Sequence, residues 1–261
     1  MNNNYGWEIN LNECKNYINF CNELIENELL FSKFKSSKEY NIILEHVDEE
    51  LGRFYYDHIQ KVGKDIFNNY LSKFLENDSI GTPIQYSYDK IKISPTTLRY
   101  IKNSLDLSHF CSESKIEKIV EVGAGYGGLC KTLSVICDFE EYICVDLPSA
   151  SKLQEKYLNH FPHLKNKVKF VSCDKLDEIK NVDLFISNYA LSELNLNAQS
   201  NYYNKIIKNS KMFYITYNSI INDNNKNKFV QMLQNDVFKF NDTYVDYGQH
   251  KNVILAGQKH I

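Results

Sequence analysis

In the middle of the chain, the run Gly123-Ala124-Gly125-Tyr126-Gly127-Gly128 follows the apolar segment Lys118-Ile119-Val120-Glu121-Val122 and precedes a helical pattern. A strand that ends in such a loop and feeds a helix gathers backbone N–H groups and the helix's positive end at one point. Glycines there permit the tight turn and let a ligand approach the backbone closely. Asp146 ends the next apolar run, Glu141-Tyr142-Ile143-Cys144-Val145-Asp146, at the place where a carboxylate accepts hydrogen bonds from ribose hydroxyls. The two features together mark a nucleoside-containing ligand.

Gly123, Gly125 and Gly128 also satisfy the spacing GxGxxG, so a domain for a nicotinamide dinucleotide has to be weighed. Glu121 stands two residues before the first glycine, and its carboxylate suits a positively charged amino-acid end better than a pyrophosphate. The mid-chain position of the loop, after a helical segment, and an antiparallel hairpin at the end of the chain point the same way, to S-adenosylmethionine.

The elements that must position these groups fall into two sets. From about Leu11 to Leu75 apolar residues recur at helical spacing, as in Tyr17, Phe20, Cys21, Leu24 and Ile25, and again in Phe54, Tyr55, His58, Val62, Ile66 and Phe67. Between Ile80 and Pro95 a Gly- and Pro-punctuated stretch predicts a short hairpin or loop, and Ser94-Pro95 opens a helix. Beyond it strands alternate with helices: strands at 118–122, 141–146, 168–171, 183–187 and 211–216, with helices at 127–136, 149–161 and 198–207. That alternation predicts a parallel sheet. A helix over 226–233 and two strands at 242–246 and 252–256 then close the chain with an antiparallel hairpin.

Composition bounds the class. With 261 residues, 43% hydrophobic and 24% charged, the chain reads as a folded soluble protein. A formal net charge of −3 gives no general attraction for phosphate backbones, so nucleic acid is not expected as a partner. Seven cysteines without a CxxC pair argue against a disulfide framework and a structural zinc site, and fit a reducing cytoplasm. The start, Met1 to Trp7, lacks the basic and apolar regions of a signal peptide, and no apolar run approaches about 18 residues. Cytoplasmic localisation without a membrane span is therefore expected, and a homodimer is compatible with it.

From about Thr97 onward the arrangement resembles the class I methyltransferases. More narrowly, Gly81-Thr82-Pro83, the segment Val120 to Leu129, Val145-Asp146-Leu147-Pro148 and Ser187-Asn188-Tyr189-Ala190-Leu191-Ser192-Glu193-Leu194 look like the sugar O-methyltransferases of bacterial polysaccharide loci. The resemblance implies an α/β fold with a Rossmann-like, mostly parallel sheet over residues 97–261, and a helical cap and lid segment over 1–96. It implies transfer of a methyl group from S-adenosylmethionine to a sugar or nucleotide-sugar hydroxyl in capsule or lipopolysaccharide synthesis, leaving S-adenosylhomocysteine. Residue by residue, it places Glu121, Gly123, Ala124, Gly125, Tyr126 and Gly127 around the methionine moiety, Asp146 on the ribose and Leu147 beside the adenine. Cys173 and Asp174 fall at the adenine edge, Asn188 near the transferable methyl, and Arg99 where a guanidinium clamps a carboxylate. Tyr86, Tyr189 and Ser192 are expected on the acceptor side.

Transfer to oxygen is an in-line displacement that needs alignment and a base for the hydroxyl proton. His250, Glu193 and Asp246 lie near strand ends on the expected side, with His250 and Glu193 the leading pair. Tyr88 and Tyr126, with Tyr86 and Tyr189, occupy loops around the expected pocket, where core filling competes with ring stacking. His46 and His58 read as structural. The loop Ser187-Asn188-Tyr189-Ala190 lacks the prolines of the loop that positions a nucleobase amine. No metal is expected, because no adjacent carboxylate pair marks a hard-cation site. Three other readings stay open: a methyltransferase for a small-metabolite hydroxyl or amine, a catalytically idle cofactor-binding module, and a nicotinamide-dependent oxidoreductase.

Overall fold

The computed structural model describes residues 11–218, 223–234, 238–247 and 250–259. The amino-terminal part is helical: α1 (Leu11–Glu26), α2 (Glu28–Phe31), α3 (Lys38–Asn41), α4 (Glu49–Val62) and α5 (Lys64–Leu75). Local chemistry sets the boundaries, since Asp48 caps α4 by accepting from the Leu51 N–H at 2.8 Å. The expected hairpin follows as β1 (Tyr86–Tyr88) and β2 (Ile91–Ile93), paired antiparallel. α6 (Pro95–Phe110) then starts with Ser94 as its cap and proline in its first turn.

The remaining strands, β3 (Lys118–Val122), β4 (Glu141–Asp146), β5 (Val168–Ser172), β6 (Leu184–Asn188), β7 (Met212–Tyr217), β8 (Phe238–Tyr247) and β9 (His250–Lys259), form one sheet in the order β5-β4-β3-β6-β7-β9-β8. The first five run parallel, and β9 is antiparallel to both its neighbours. The alternation inferred from sequence thus gives a Rossmann-like sheet with an antiparallel hairpin. That hairpin is longer than the expected 242–246 and 252–256, because pairing runs unbroken from Phe238↔Lys259 to Tyr247↔His250.

Alternate residues of each strand feed opposite faces, as the two-residue side-chain period requires. Ile119, Tyr142, Cys144, Leu184 and Ile186 join one core cluster; Val120, Val122, Ile143, Phe185 and Phe213 join the other. α7 (Gly128–Leu133) and α8 (Pro148–Leu158) cover the first face, and α9 (Leu196–Lys205) and α10 (Asp223–Gln234) the second. The amino-terminal helices add to the first face: Tyr17, Phe20, Leu24, Phe31, Phe34 and Tyr40 belong to the same cluster as Leu153 and Tyr157 of α8. A third cluster packs α4, α5 and the β1–β2 hairpin on the outer side of α6. α6 serves both, with Tyr100 and Leu107 turned to the sheet cluster and Leu98, Ile101 and Leu105 to the third. The boundary expected between residues 96 and 97 falls inside this helix.

α7 is shorter than the helix expected over 127–136. Its last turn tightens into bonds from Val135 N–H to the Thr132 carbonyl (3.2 Å) and Ile136 N–H to the Leu133 carbonyl (3.1 Å). Among the described residues no helix is long and apolar enough to cross a membrane.

Candidate functional site

The sheet has its topological reversal at β3, from which the chain moves to β4 on one side and later returns to β6 on the other. Ligands of such sheets bind outside the carboxyl ends of the strands at that point. A cavity of about 380 Å³ opens there, within the range of about 300–1,000 Å³ usual for small-molecule sites.

One wall is made by strand ends. β3 supplies Glu121 and Val122 and continues into Gly123, Ala124 and Gly125; β4 supplies Val145, Asp146 and Leu147. Cys173 follows β5, Asn188 and Tyr189 stand at the exit of β6, and Asn218 and Asn252 come from β7's exit and β9. Gly123 has φ of 75°, and a Cβ there would stand 2.1 Å from the Ala190 Cβ. Gly125, at φ of 59°, lies under Leu44, whose Cδ1 would be 2.7 Å from such a Cβ. Glycine is required at both positions by backbone conformation and by contact.

The opposite wall comes from the helices. Tyr17 of α1, Leu51 and Tyr55 of α4, and the segment Ile43, Leu44, His46 and Val47 between α3 and α4 line it. Arg99, Tyr100 and Asn103 of α6 complete it, the first and third one helical turn apart. Arg99 donates through Nη2 to the Leu44 carbonyl at 3.2 Å, with its guanidinium carbon 5.9 Å from the centre of the Tyr189 ring.

Electrostatics set the character of the sheet wall. Burial pushes the Glu121 carboxyl up to about 7, against a hydrogen bond donated by Tyr142 Oη to Oε2 at 2.7 Å, with Asp146 adding to the rise. Burial likewise raises Asp146 to about 6, opposed by the Leu147 N–H and Gln154 Nε2, each donating at 2.8 Å. Neutral donors oppose both rises, from Tyr142 on Glu121 and from Leu147, Gln154, Gly125 and Ala124 on Asp146, so the wall holds two carboxyl groups tuned by burial and hydrogen bonding. Asn188 Oδ1 accepts from Thr216 Oγ1 at 2.8 Å, whereas its Nδ2 is buried with no hydrogen-bond partner among the described residues. A buried, unpaired donor in a cavity wall fits a ligand acceptor, since a lone polar group costs free energy when buried. Tyr189 adopts φ of 69° and ψ of −43°, a sparsely populated conformation for a non-glycine residue, at the cavity rim.

Most of the residues singled out from sequence converge here: Glu121, Gly123, Ala124, Gly125, Asp146, Leu147, Cys173, Asn188, Tyr189, Glu193 and Arg99 all line the cavity. Glu193 ends the turn that follows β6, with burial raising its carboxyl to about 7. Five others do not line it. Tyr126 turns away beneath the loop, fully buried, with its hydroxyl accepting from Asn77 Nδ2 at 3.1 Å and Lys35 Nζ 4.1 Å from its ring centre. Gly127 caps α7 under Leu158, and Asp174 points to solvent. Ser192 is buried in the turn, donating to the Tyr189 carbonyl at 2.5 Å and accepting from the Asn218 N–H at 3.2 Å. Tyr86 lines a smaller neighbouring cavity. The His250 and Asp246 side chains lie outside the described residues; their backbone places both next to the hairpin connection.

One expectation needs correction. His46, expected as a structural residue on a helix, stands in the segment between α3 and α4, where it lines the cavity; partial desolvation and the Arg99 charge lower its pKa well below the usual histidine value, although the residue as a whole stays exposed. His58 lies on α4, half-buried, and bonds Asp106 at 3.2 Å, away from the cavity. Tyr17, Asn103, Tyr202 and Asn218 were not singled out from sequence. Only Asn103 carried a signal, as a polar residue four after Arg99 on a helix face otherwise buried. Among the described residues no group of three His, Cys, Asp or Glu side chains is placed to hold a metal ion.

No protein-family model and no curated protein sequence matches the chain. Solved structures do. A candidate RNA methyltransferase from Pyrococcus horikoshii aligns over 74% of this chain and 100% of its own, with TM-score 0.50 and 16% identity. The methyltransferase domain of bacterial CtHen1-C aligns over 61% and 98%, with TM-score 0.52 and 10% identity. The amino-terminal domain of EvdMO1, solved in the presence of S-adenosylhomocysteine and D-fucose, aligns over 74% and 97%, with TM-score 0.50 and 8% identity. The chain has the Rossmann-like fold that these methyltransferases share.

Proposed function

We propose that this protein is an S-adenosylmethionine-dependent methyltransferase that methylates a sugar hydroxyl in the synthesis of a surface polysaccharide, capsule or lipopolysaccharide. The observation that carries the cofactor reading is the pairing of two acids in one cavity wall, Glu121 buried and Asp146 half-buried. Two acids on the sheet wall, with Arg99 on the wall facing them, complement a ligand with a cationic amino group, a carboxylate and a ribose diol, and the acids disfavour the pyrophosphate of a dinucleotide. Each carboxylate keeps acceptor capacity beyond its present bonds. In this reading Glu121 and Gly123 to Gly125 hold the amino-acid end, Arg99 its carboxylate, Asp146 the ribose, and Leu147 and Cys173 the adenine. The donor brings an activated methyl group; the chain's part is to align the acceptor oxygen, exclude water and take the hydroxyl proton. Among the described residues the wall offers Glu193 and His46 for that proton.

The fold leaves the acceptor open, since the neighbours include a domain seen with D-fucose and a candidate RNA methyltransferase. A net charge of −3 gives no pull on an RNA backbone. The sequence likeness around Asp146 and Ser187 to Leu194 supports a sugar. Calorimetry with S-adenosylhomocysteine and with NADH tests the donor, and labelled donor with a panel of nucleotide sugars tests the acceptor. Uptake of the dinucleotide alone, or transfer only to RNA, would refute this function.

A further inference from the structure

A second cavity, of about 190 Å³, shares His46 and Val47 with the first, so the two meet at these residues. Its far side is polar, with Asn41, Glu45, Asp48 and Tyr86, and Ile84 and Pro95 add apolar surface. Glu45 is 9% exposed, and its Oε1 has no hydrogen-bond partner among the described residues. Asn41 spends its amide donors on the Ser37 and Lys35 carbonyls, at 2.7 and 3.3 Å, which leaves its oxygen to accept. Asp48 uses Oδ1 to cap α4 and keeps Oδ2. The cavity therefore presents acceptors to whatever enters, beside a small apolar face. A ligand rich in O–H donors with a C–H face satisfies both; an anion meets the Asp48 carboxylate and a Glu45 carboxyl that burial raises to about 7, against the pull of Lys35 and Arg99.

We propose that this second cavity is the acceptor subsite, that it takes an uncharged polyhydroxylated ring whose reacting hydroxyl reaches past His46 and Val47 into the first cavity, and that His46 receives the proton of that hydroxyl. The proposal rests on the methyltransferase reading above. The hydroxyl oxygen attacks the methyl carbon, a C–O bond forms as the C–S bond breaks, and sulfur keeps the electron pair and loses its positive charge. The hydroxyl proton passes to an imidazole nitrogen of His46 and from there to water. Partial desolvation and the Arg99 guanidinium keep that imidazole neutral, the form that accepts a proton, and the same two effects make it a short-lived carrier that gives the proton up to water. Any charged carrier of the sugar stays outside the subsite.

Saturation-transfer NMR tests this with the full-length chain holding S-adenosylhomocysteine. The probes are the methyl glycosides of glucose, galactose, fucose and N-acetylglucosamine, with glucose 1-phosphate as the anionic counterpart. The expected result is binding of at least one glycoside and none of the phosphate, weakened about fivefold or more in Glu45→Gln and in the milder Tyr86→Phe. His46→Gln keeps glycoside binding and loses about 10²-fold or more of methyl transfer to the bound probe. Calorimetry on each variant must show unchanged S-adenosylhomocysteine affinity. Glycoside binding undiminished in both subsite variants, binding of the phosphate instead, or binding of S-adenosylhomocysteine with no glycoside at all overturns the subsite while leaving the donor reading intact. Failure of the wild type to bind S-adenosylhomocysteine removes the donor reading and this one with it.

Discussion

The sheet-side wall of the cavity and the helical wall facing it are held in place by different means. The first is fixed by strand pairing: Glu121 sits opposite Cys144 in register, and the Gly123 N–H donates to the Val145 carbonyl at 3.0 Å. The second hangs on side chains, with Arg99 reaching the Leu44 carbonyl and Asp48 capping α4. Below the glycine loop the two are joined by a buried polar knot. Asn77 donates to Thr97 Oγ1 at 2.6 Å and to Tyr126 Oη, and accepts from Tyr157 Oη at 2.7 Å. Lys35 donates to the Asn77 carbonyl at 2.5 Å. The difference teaches that donor recognition is built into the sheet, whereas access and acceptor fit depend on helices tied to it through a few buried side chains.

The largest expected effect lies on the sheet wall. Gly123→Val forces a branched residue to a φ of 75° and drives its Cβ into Ala190. A cost on the order of 3–5 kcal/mol is expected, with loss of S-adenosylhomocysteine binding by calorimetry. A variant that folds and binds normally would show that the loop is not the rigid part of the site. Next comes the knot. Asn77→Ala takes the Asn77 amide from Tyr126 and Thr97 and its side-chain oxygen from Tyr157, in a fully buried place. Urea denaturation should show a loss of roughly 2–4 kcal/mol. If the knot couples the walls, donor affinity falls as well; if stability falls alone, the walls are independent.

Legibility from sequence followed the same division. The strands, the glycine loop, Asp146 and Asn188 could be read because buried parallel strands are continuous apolar runs and their ends are marked by chain position. Tyr126 sat within the motif yet belongs to the knot, since the loop's φ values turn its side chain downward, which spacing does not reveal. The helical wall was largely hidden. Tyr17, Leu44 and Tyr55 have the spacing of core residues, and a helix face that lines a cavity has the same composition as one that fills a core. His46 reads as structural for that reason, and only the fold brings the segment between α3 and α4 over Gly125.

Glu121→Gln separates charge from shape on the sheet wall. The ordinary glutamate value near 4.5 is raised to about 7 in the folded protein. The unfolded chain therefore loses this proton first as pH rises, and the folded state loses stability from about pH 4.5 until the folded group has ionised, near 7. The penalty reaches up to about 3 kcal/mol. Thermal denaturation of the ligand-free protein should decline across that window, and the glutamine variant should decline less. A cationic ligand favours the ionised carboxylate, so binding near pH 7 releases protons, measurable as a buffer-dependent calorimetric enthalpy. The variant should lose that release together with about 1.5–3 kcal/mol of affinity. An unchanged enthalpy and affinity would remove Glu121 from the ligand.

Leu44→Ala probes the facing wall with the smallest change. The side chain is half-buried and rests on Gly125, so its truncation removes little core and costs about 1 kcal/mol or less of stability. It does uncover the loop at the place where the donor's amino-acid end is proposed to lie. A wall that only closes over bound ligand leaves association unchanged and speeds escape, as most interface changes act on dissociation. Stopped-flow measurement with S-adenosylhomocysteine should give an off-rate three- to tenfold faster at an unchanged on-rate. A slower on-rate would mean that Leu44 shapes the loop before the ligand arrives. No change in either rate would mean that the sheet wall holds the donor alone.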